Sequence, residues 1–167
     1  MKAMIFAAGL GTRLRPLTND KPKALVEVNG KPLLEIVILQ LKRYGFRDIV
    51  VNVHYFAKQI IRFLEAKNNF GIHIQISDES DLLLETGGGL QKAKHFLCSD
   101  DEPFLVHNVD ILSDINLKAL YQSHLEGSPL ATLVVRNRKT SRYLLFDETN
   151  RLCGWKNVKT GEVRMMR

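Results

Sequence analysis

MKAMIFAAGLGTRLRPLTNDKPKAL, residues 1–25, is the stretch on which the reading of the whole chain turns. Lys2 to Phe6 is a short apolar run, the length of one buried strand. Ala7, Ala8 and Gly9 follow, then Leu10, Gly11, Thr12 and Arg13. Small residues directly after a first strand let the backbone come close to a ligand. Gly9 and Gly11 can take positive φ, so that successive N–H groups converge into an anion-binding nest. Arg13, Arg15, Lys21 and Lys23 surround that loop. Glycines, free amides and clustered cations suit a polyphosphate better than a neutral ligand. The spacing matches neither of two common phosphate motifs. Leu14 stands where G-x-G-x-x-G would place its third glycine, and no G-K-[ST] follows. A G-x-G turn after a strand is by itself a weak signal.

Beyond this loop, strands and helices alternate. Leu25–Val28 is a short apolar piece ended by the turn pair Asn29-Gly30. Pro32 suits the first residue of a helix whose inward positions are Leu33, Leu34, Val37, Ile38 and Leu41, with Gly45 as the stop. Asp48–Val53 reads as a buried strand, Ala57–Ala66 as a helix and Ile72–Ile76 as a strand. The glycines after Thr86 are expected to open a helix over Leu90–Phe96. Pro103–His107 is the next strand, and Asn116–Leu125 a helix with Asn116 as its cap and Gly127 as its stop. Leu130–Val135, Tyr143–Phe146 and Leu152–Lys156 read as a meander of strands. Strands separated by helices of about ten residues predict a parallel sheet covered on both faces. The expected fold is a Rossmann-like three-layer α/β/α sandwich in one domain over residues 1–167, with an antiparallel extension. Ligands in such sheets bind beyond the carboxyl ends of the strands. The glycine loop, the Ser77–Gly89 stretch and Asp110 all fall at that edge.

Composition narrows the ligand. The chain has 167 residues, 45% apolar and 25% charged, with a net charge of +6. No apolar run approaches the roughly 20 residues of a membrane span, so no membrane partner is expected. No lysine-rich run or aromatic–basic alternation marks a nucleic-acid stripe. The densest cationic cluster is the glycine loop, which favours a small phosphorylated ligand. Two cysteines, Cys98 and Cys153, are too few for a disulfide framework. With no signal-peptide pattern after the first strand, a reduced, cytoplasmic protein is expected.

G-x-G-T-R-L-x-P-L-T-x-x-x-P-K-A-L, from Gly9 to Leu25, resembles the signature of the sugar-1-phosphate nucleotidyltransferases. The later segments LETGGGL and Asn108–Asp110 are most similar to the branch holding N-acetylmuramate-1-phosphate uridylyltransferase and mannose-1-phosphate guanylyltransferases. The resemblance implies transfer of a nucleoside monophosphate from an NTP to a sugar 1-phosphate, with Mg²⁺, giving a UDP- or GDP-sugar and pyrophosphate. It implies the nucleotide-diphospho-sugar transferase fold, and a chain that lacks its family's C-terminal part. Arg13, a bidentate fork, would hold the departing β and γ phosphates, and Lys23 a phosphate oxygen near the α-phosphate. Ala8, Gly9, Gly11, Thr12, Glu79, Thr86 and Gly87 would contact the nucleotide, Glu85 and Asn108 the sugar or ribose, and Asp110 the metal. Val109 departs from the family's small residue there, and its branched side chain is expected to crowd the ligand. Base, sugar and oligomeric state stay open. Two alternatives stand beside this reading. One is a non-catalytic module that binds nucleotides or nucleotide sugars. The other is a transferase for another phosphorylated acceptor, such as phosphocholine.

Overall fold

The computed structural model describes residues 1–166, and the chain divides into two compact units, Met1–Leu130 and the remainder from Ala131. In the first unit, β1 (Lys2–Phe6) leads through the glycine loop to β2 (Glu27–Val28) and β3 (Lys31–Pro32). These two strands form a small hairpin, with Asn29 and Gly30 both at positive φ (51° and 72°), as a type I′ turn requires. Then come α1 (Leu33–Arg43), β4 (Asp48–Val53), α2 (Ala57–Ala66), β5 (His73–Asp78), α3 (Glu85–Lys92), α4 (Lys94–Leu97), β6 (Phe104–Asn108) and α5 (Leu117–Gly127).

The four longer strands form one parallel sheet in the order β5-β4-β1-β6. Period-two alternation in β1 divides its side chains between two cores. Ala3 and Ile5 join Ile49, Val51 and Val53 under α1, α2 and α5, where Leu34, Val37, Ile38, Leu41 and Ile60 are fully buried. Met4 packs with Val50 on the opposite face, against Ala93 and Leu97 beside α3 and α4. This is the expected three-layer α/β/α sandwich. Asn116 caps α5 as expected, its side chain accepting from the Ala119 amide at 3.0 Å.

The structure differs from the sequence reading at several points. Pro32 closes β3 and stands just before α1 rather than inside it. Gly87–Gly89 lie within α3 instead of preceding a helix, and Ser128, not Gly127, takes the left-handed conformation after α5 (φ 44°). The strand expected over Leu130–Val135 is absent. No ladder forms there, and Leu130, Leu133, Val134 and Val135 are exposed. Branched apolar residues favour a strand only where a neighbouring strand and a core receive them.

In the second unit, β7 (Arg142–Phe146), β8 (Leu152–Asn157) and β9 (Val163–Met165) form an antiparallel meander in the order β7-β8-β9. The sequence reading found the first two strands and missed the three-residue β9. Within this unit a cleft between strands is lined by Tyr143, Trp155 and Arg164, with the guanidinium 5.5 Å from the indole ring centre. Among the described residues no helix is long and apolar enough to cross a membrane.

Leu34, fully buried against the sheet, measures how far the first core depends on α1. Leu34→Ala should destabilise the protein by about 2–5 kcal/mol, read as a lower denaturation midpoint in urea with an unchanged slope.

Candidate active site

The order β5-β4-β1-β6 reverses direction at β1, so the crevice of this sheet is expected beyond the carboxyl ends of β1 and β6. A cleft of about 470 Å³ opens there. One wall is the glycine loop, from Ala8 to Leu14, with Lys23 beside it. The opposite wall is Leu83, Glu85 and Thr86 at the start of α3. Phe6, Asn52 and Glu79 also line it, and Asn108 and Asp110 come from the end of β6. Every residue that the sequence reading assigned to catalysis, nucleotide, sugar or metal lines this cleft, except Gly87. Arg15 and Lys21 lie outside it.

The loop owes its shape to small residues and one threonine. Gly11 has φ 65°, ψ 19°, a left-handed conformation that side chains disfavour. A Cβ there would lie 3.0 Å from Thr18 Cγ2 and 3.1 Å from Lys23 Cβ. Thr18, 3% exposed, donates its hydroxyl to the Gly11 carbonyl at 2.9 Å and closes the loop on itself. Of the two glycines that can take positive φ, Gly11 does and Gly9 does not. The backbone amides of Gly9, Leu10 and Gly11 have no hydrogen-bond partner among the described residues, which leaves them free to meet an anion. The amides of Ala7 and Ala8 are taken. Asn52 Oδ1 accepts both, at 2.7 and 3.2 Å.

Arg13 is exposed and lines the cleft without an ion pair among the described residues. Lys23 and Asp110 are brought together as an ion pair across the cleft, the lysine side chain 18% and the aspartate 40% exposed. Asn108 and Asp110 sit on either side of Val109, which is 2% exposed and packed in the core under α1, α2 and α5. The crowding expected of Val109 does not occur. Its side chain points into the protein, and its amide donates to the Phe6 carbonyl at 3.2 Å.

Glu79 is 1% exposed. Its Oε1 accepts from Asn52 Nδ2 at 2.8 Å, and its Oε2 accepts from the Leu84 amide at 3.2 Å. Its carbonyl accepts from His54 Nδ1 at 2.6 Å, so His54 serves the backbone of this wall. Asp78 turns away to hydrogen-bond Ser80, which holds its carboxyl below the usual carboxylate value. Gly89 packs α3 directly on this wall. A Cβ there would stand 2.7 Å from Glu79 Oε1 and 3.1 Å from Asn52 Nδ2. Glu85, the first residue of α3, carries a positive φ of 60°.

The sequence reading passed over Asn52 and Thr18. An asparagine inside the apolar run of β4 was the available signal for the first. For the second it was the threonine within P-L-T, a short step before Pro22-Lys23.

Fold and cleft together define a Rossmann-like α/β protein with its ligand crevice at the switch point. The chain belongs to the nucleotidyl transferase family, which it matches over residues 2–146. It is 44% identical over 123 residues to N-acetylmuramate alpha-1-phosphate uridylyltransferase of Neisseria meningitidis, a match covering 74% of this chain and 52% of that protein. It is 40% identical over 147 residues to mannose-1-phosphate guanyltransferase of Gibberella zeae, covering 86% of this chain and 40% of that protein. Among solved structures it resembles HddC from Yersinia pseudotuberculosis complexed with GMP-PN, at 30% identity and a TM-score of 0.66. That likeness covers 75% of this chain and 54% of the other, and its fold is that of the nucleotide-diphospho-sugar transferases. The chain spans about half the length of the curated relatives it matches.

His107 supplies a pH-dependent prediction. It is 8% exposed at the end of β6, and its ring is held below its ordinary value of 6.5, chiefly by burial. The Asn108 carbonyl and Asp110 oppose that shift. As pH falls through about 6.5, the unfolded chain takes up a proton that the folded chain refuses, so folding stability is lost on the acid side. His107→Gln should flatten this part of the profile, measured as the difference between urea unfolding free energies at about pH 7.5 and about pH 5.5.

Proposed function

We propose that the protein carrying this chain transfers a nucleoside monophosphate from an NTP to a sugar 1-phosphate, releasing pyrophosphate and forming a UDP- or GDP-sugar. The observation that carries this reading is the convergence of free amides, Arg13, Lys23 and Asp110 on one crevice. The uridylyl- and guanylyltransferase names of its relatives support the two bases. The family match runs from residue 2 to residue 146 and so reaches from the first unit into the second, which supports one transferase domain.

In such a reaction an oxygen of the sugar phosphate attacks the α-phosphorus, and the bond from that phosphorus to the oxygen of the β-phosphate breaks. The electron pair leaves with pyrophosphate. The attacking oxygen is already ionised, so no protein base is needed. The difficulty is the approach of two anions and the charge on the leaving group, and positioning with fixed positive charge meets both. The amides of Gly9 to Gly11 and the Arg13 guanidinium suit the β and γ phosphates. Lys23 is a compact charge suited to the α-phosphate and the incoming phosphate. Asn108 and Glu85 offer polar groups to sugar or ribose hydroxyls. Leu83 and Thr86 form the wall for the base.

The cleft fits a divalent cation of one kind. Asp110 presents one carboxylate, and no cluster of three ligating side chains exists among the described residues. Asp110 is the residue that would hold such an ion, and a cation of the Mg²⁺ kind, which needs only one or two protein carboxylates, would suit it. When bound it offsets phosphate charge. Lys23 pairs with that carboxylate.

With Mg²⁺ present, UTP or GTP at about a hundred times its Kd should stabilise the chain by about 2.7 kcal/mol, seen as a raised Tm. In a protein of the relatives' full length, Arg13→Ala should cut pyrophosphate release by about 10²-fold or more, with the circular-dichroism spectrum unchanged. Near wild-type turnover would refute the role of Arg13. Pyrophosphate release with phosphocholine and not with any sugar 1-phosphate would move the acceptor to the alternative class.

A further inference from the structure

The buried link between Asn52 and Glu79 ties the two walls of the cleft together. Asn52 stands near the end of β4, 2% exposed, where every other residue after Asp48 is apolar. The amides of Ala7 and Ala8 both need an acceptor, and Asn52 Oδ1 is that acceptor. This fixes the orientation of the amide, so Nδ2, a donor, must point at residue 79. Residue 79 must therefore accept on that side, and it must also accept from the Leu84 amide on its other side. A carboxylate accepts on both sides, whereas a glutamine would set donor against donor on one of them. The identities of the two residues are thus mutually locked. Gly89 leaves α3 in contact with the pair, where a methyl group would have no room.

We propose that Asn52 and Glu79 are positioning residues that couple the glycine loop to the opposite wall of the cleft, so that the phosphate and nucleoside ends of a bound nucleotide are held in one fixed relation. The nucleotide part rests on the transferase reading. The coupling itself rests on the hydrogen-bond polarity alone. Neither residue takes part in the chemistry.

Asn52→Asp sets a second carboxylate against Glu79 while still accepting from Ala7 and Ala8. Two carboxylates at that separation repel each other while both are ionised, and a proton shared between them at lower pH relieves the repulsion. Glu79→Gln loses one of its two acceptor contacts. The double variant Asn52→Asp/Glu79→Gln transposes donor and acceptor. The carboxylate now at position 52 accepts from the side-chain amide nitrogen now at position 79. The oxygen of that same side-chain amide accepts from Leu84, and the total charge is unchanged.

Amide hydrogen exchange by NMR and binding of Mg²⁺-UTP and Mg²⁺-GTP are measured for the parent, both single variants and the double variant. In Asn52→Asp, the Leu84 amide, which residue 52 does not touch, should exchange about tenfold faster, the scale of one lost charge-assisted hydrogen bond. That loss should shrink as pH is lowered and the carboxylates share a proton. Nucleotide affinity should fall by a similar factor, and the double variant should return both readouts to within a few-fold of the parent. An unchanged Leu84 amide in Asn52→Asp, or a double variant no better than the worse single one, would overturn the coupling. Should the single variants fail to fold, a folded double variant supports the lock and an unfolded one refutes it. Absence of nucleotide binding by the parent chain would instead overturn the transferase reading, and the Leu84 exchange would still decide the coupling.

Discussion

Pairing of β1 with β4 on one side and β6 on the other is the constraint from which the rest follows. Every residue of β1 is matched on both edges, from Lys2 with Asp48 and Phe104 to Phe6 with Asn52 and Asn108. Parallel strands cannot be joined by tight turns, so each neighbour is reached through a crossover. The crossovers lay helices over both faces. They also bring the ends of β1, β4, β5 and β6 to one edge. The glycine loop, Asn52, Glu79 and Asp110 meet there although they lie far apart in sequence. A loop placed centrally in this way has neighbours on both sides, and its geometry can be set by them.

The electrostatics of that edge are arranged in the same manner. Lys23 and Asp110 come from different ends of the first unit and neutralise each other at the cleft. Each is thereby held at the cleft wall with part of its solvation already removed. A pair that is partly exposed adds little to folding stability. Its weight lies in placement, since it fixes a cation and a carboxylate at the cleft wall. Arg13 is left exposed, with no ion pair among the described residues.

Sequence pattern carried most of the fold, for reasons that differ between elements. In α1 the apolar period, and in β4 the apolar run broken only by Asn52, reflect burial directly, and both were read to their true ends or close to them. Leu130–Val135 has the same apolar, branched character, yet local composition cannot say whether a ladder partner exists. The glycines of α3 were read by their conformational freedom, whereas Gly89 is required for lack of space next to Glu79 and Asn52. Val109 shows the same limit from the other side. Its neighbours Asn108 and Asp110 line the cleft, and alternation of side-chain direction sends the residue between them into the core. Candidate chemistry was legible because Gly9–Leu25 forms one long motif. The residues that orient it were not, because Asn52 and Thr18 act through hydrogen bonds to backbone atoms, Asn52 to the amides of Ala7 and Ala8 at another strand's end and Thr18 to the Gly11 carbonyl.

The polarity of the Asn52–Glu79 link has an evolutionary side. Neither residue can drift alone, because every single step to the other's chemistry passes through a buried mismatch. The two positions must change together, or one change must wait for the other. Room for change is thereby pushed outward, to the walls of the crevice at Leu83, Glu85 and Thr86. There a new side chain would line the crevice without disturbing the Asn52–Glu79 frame.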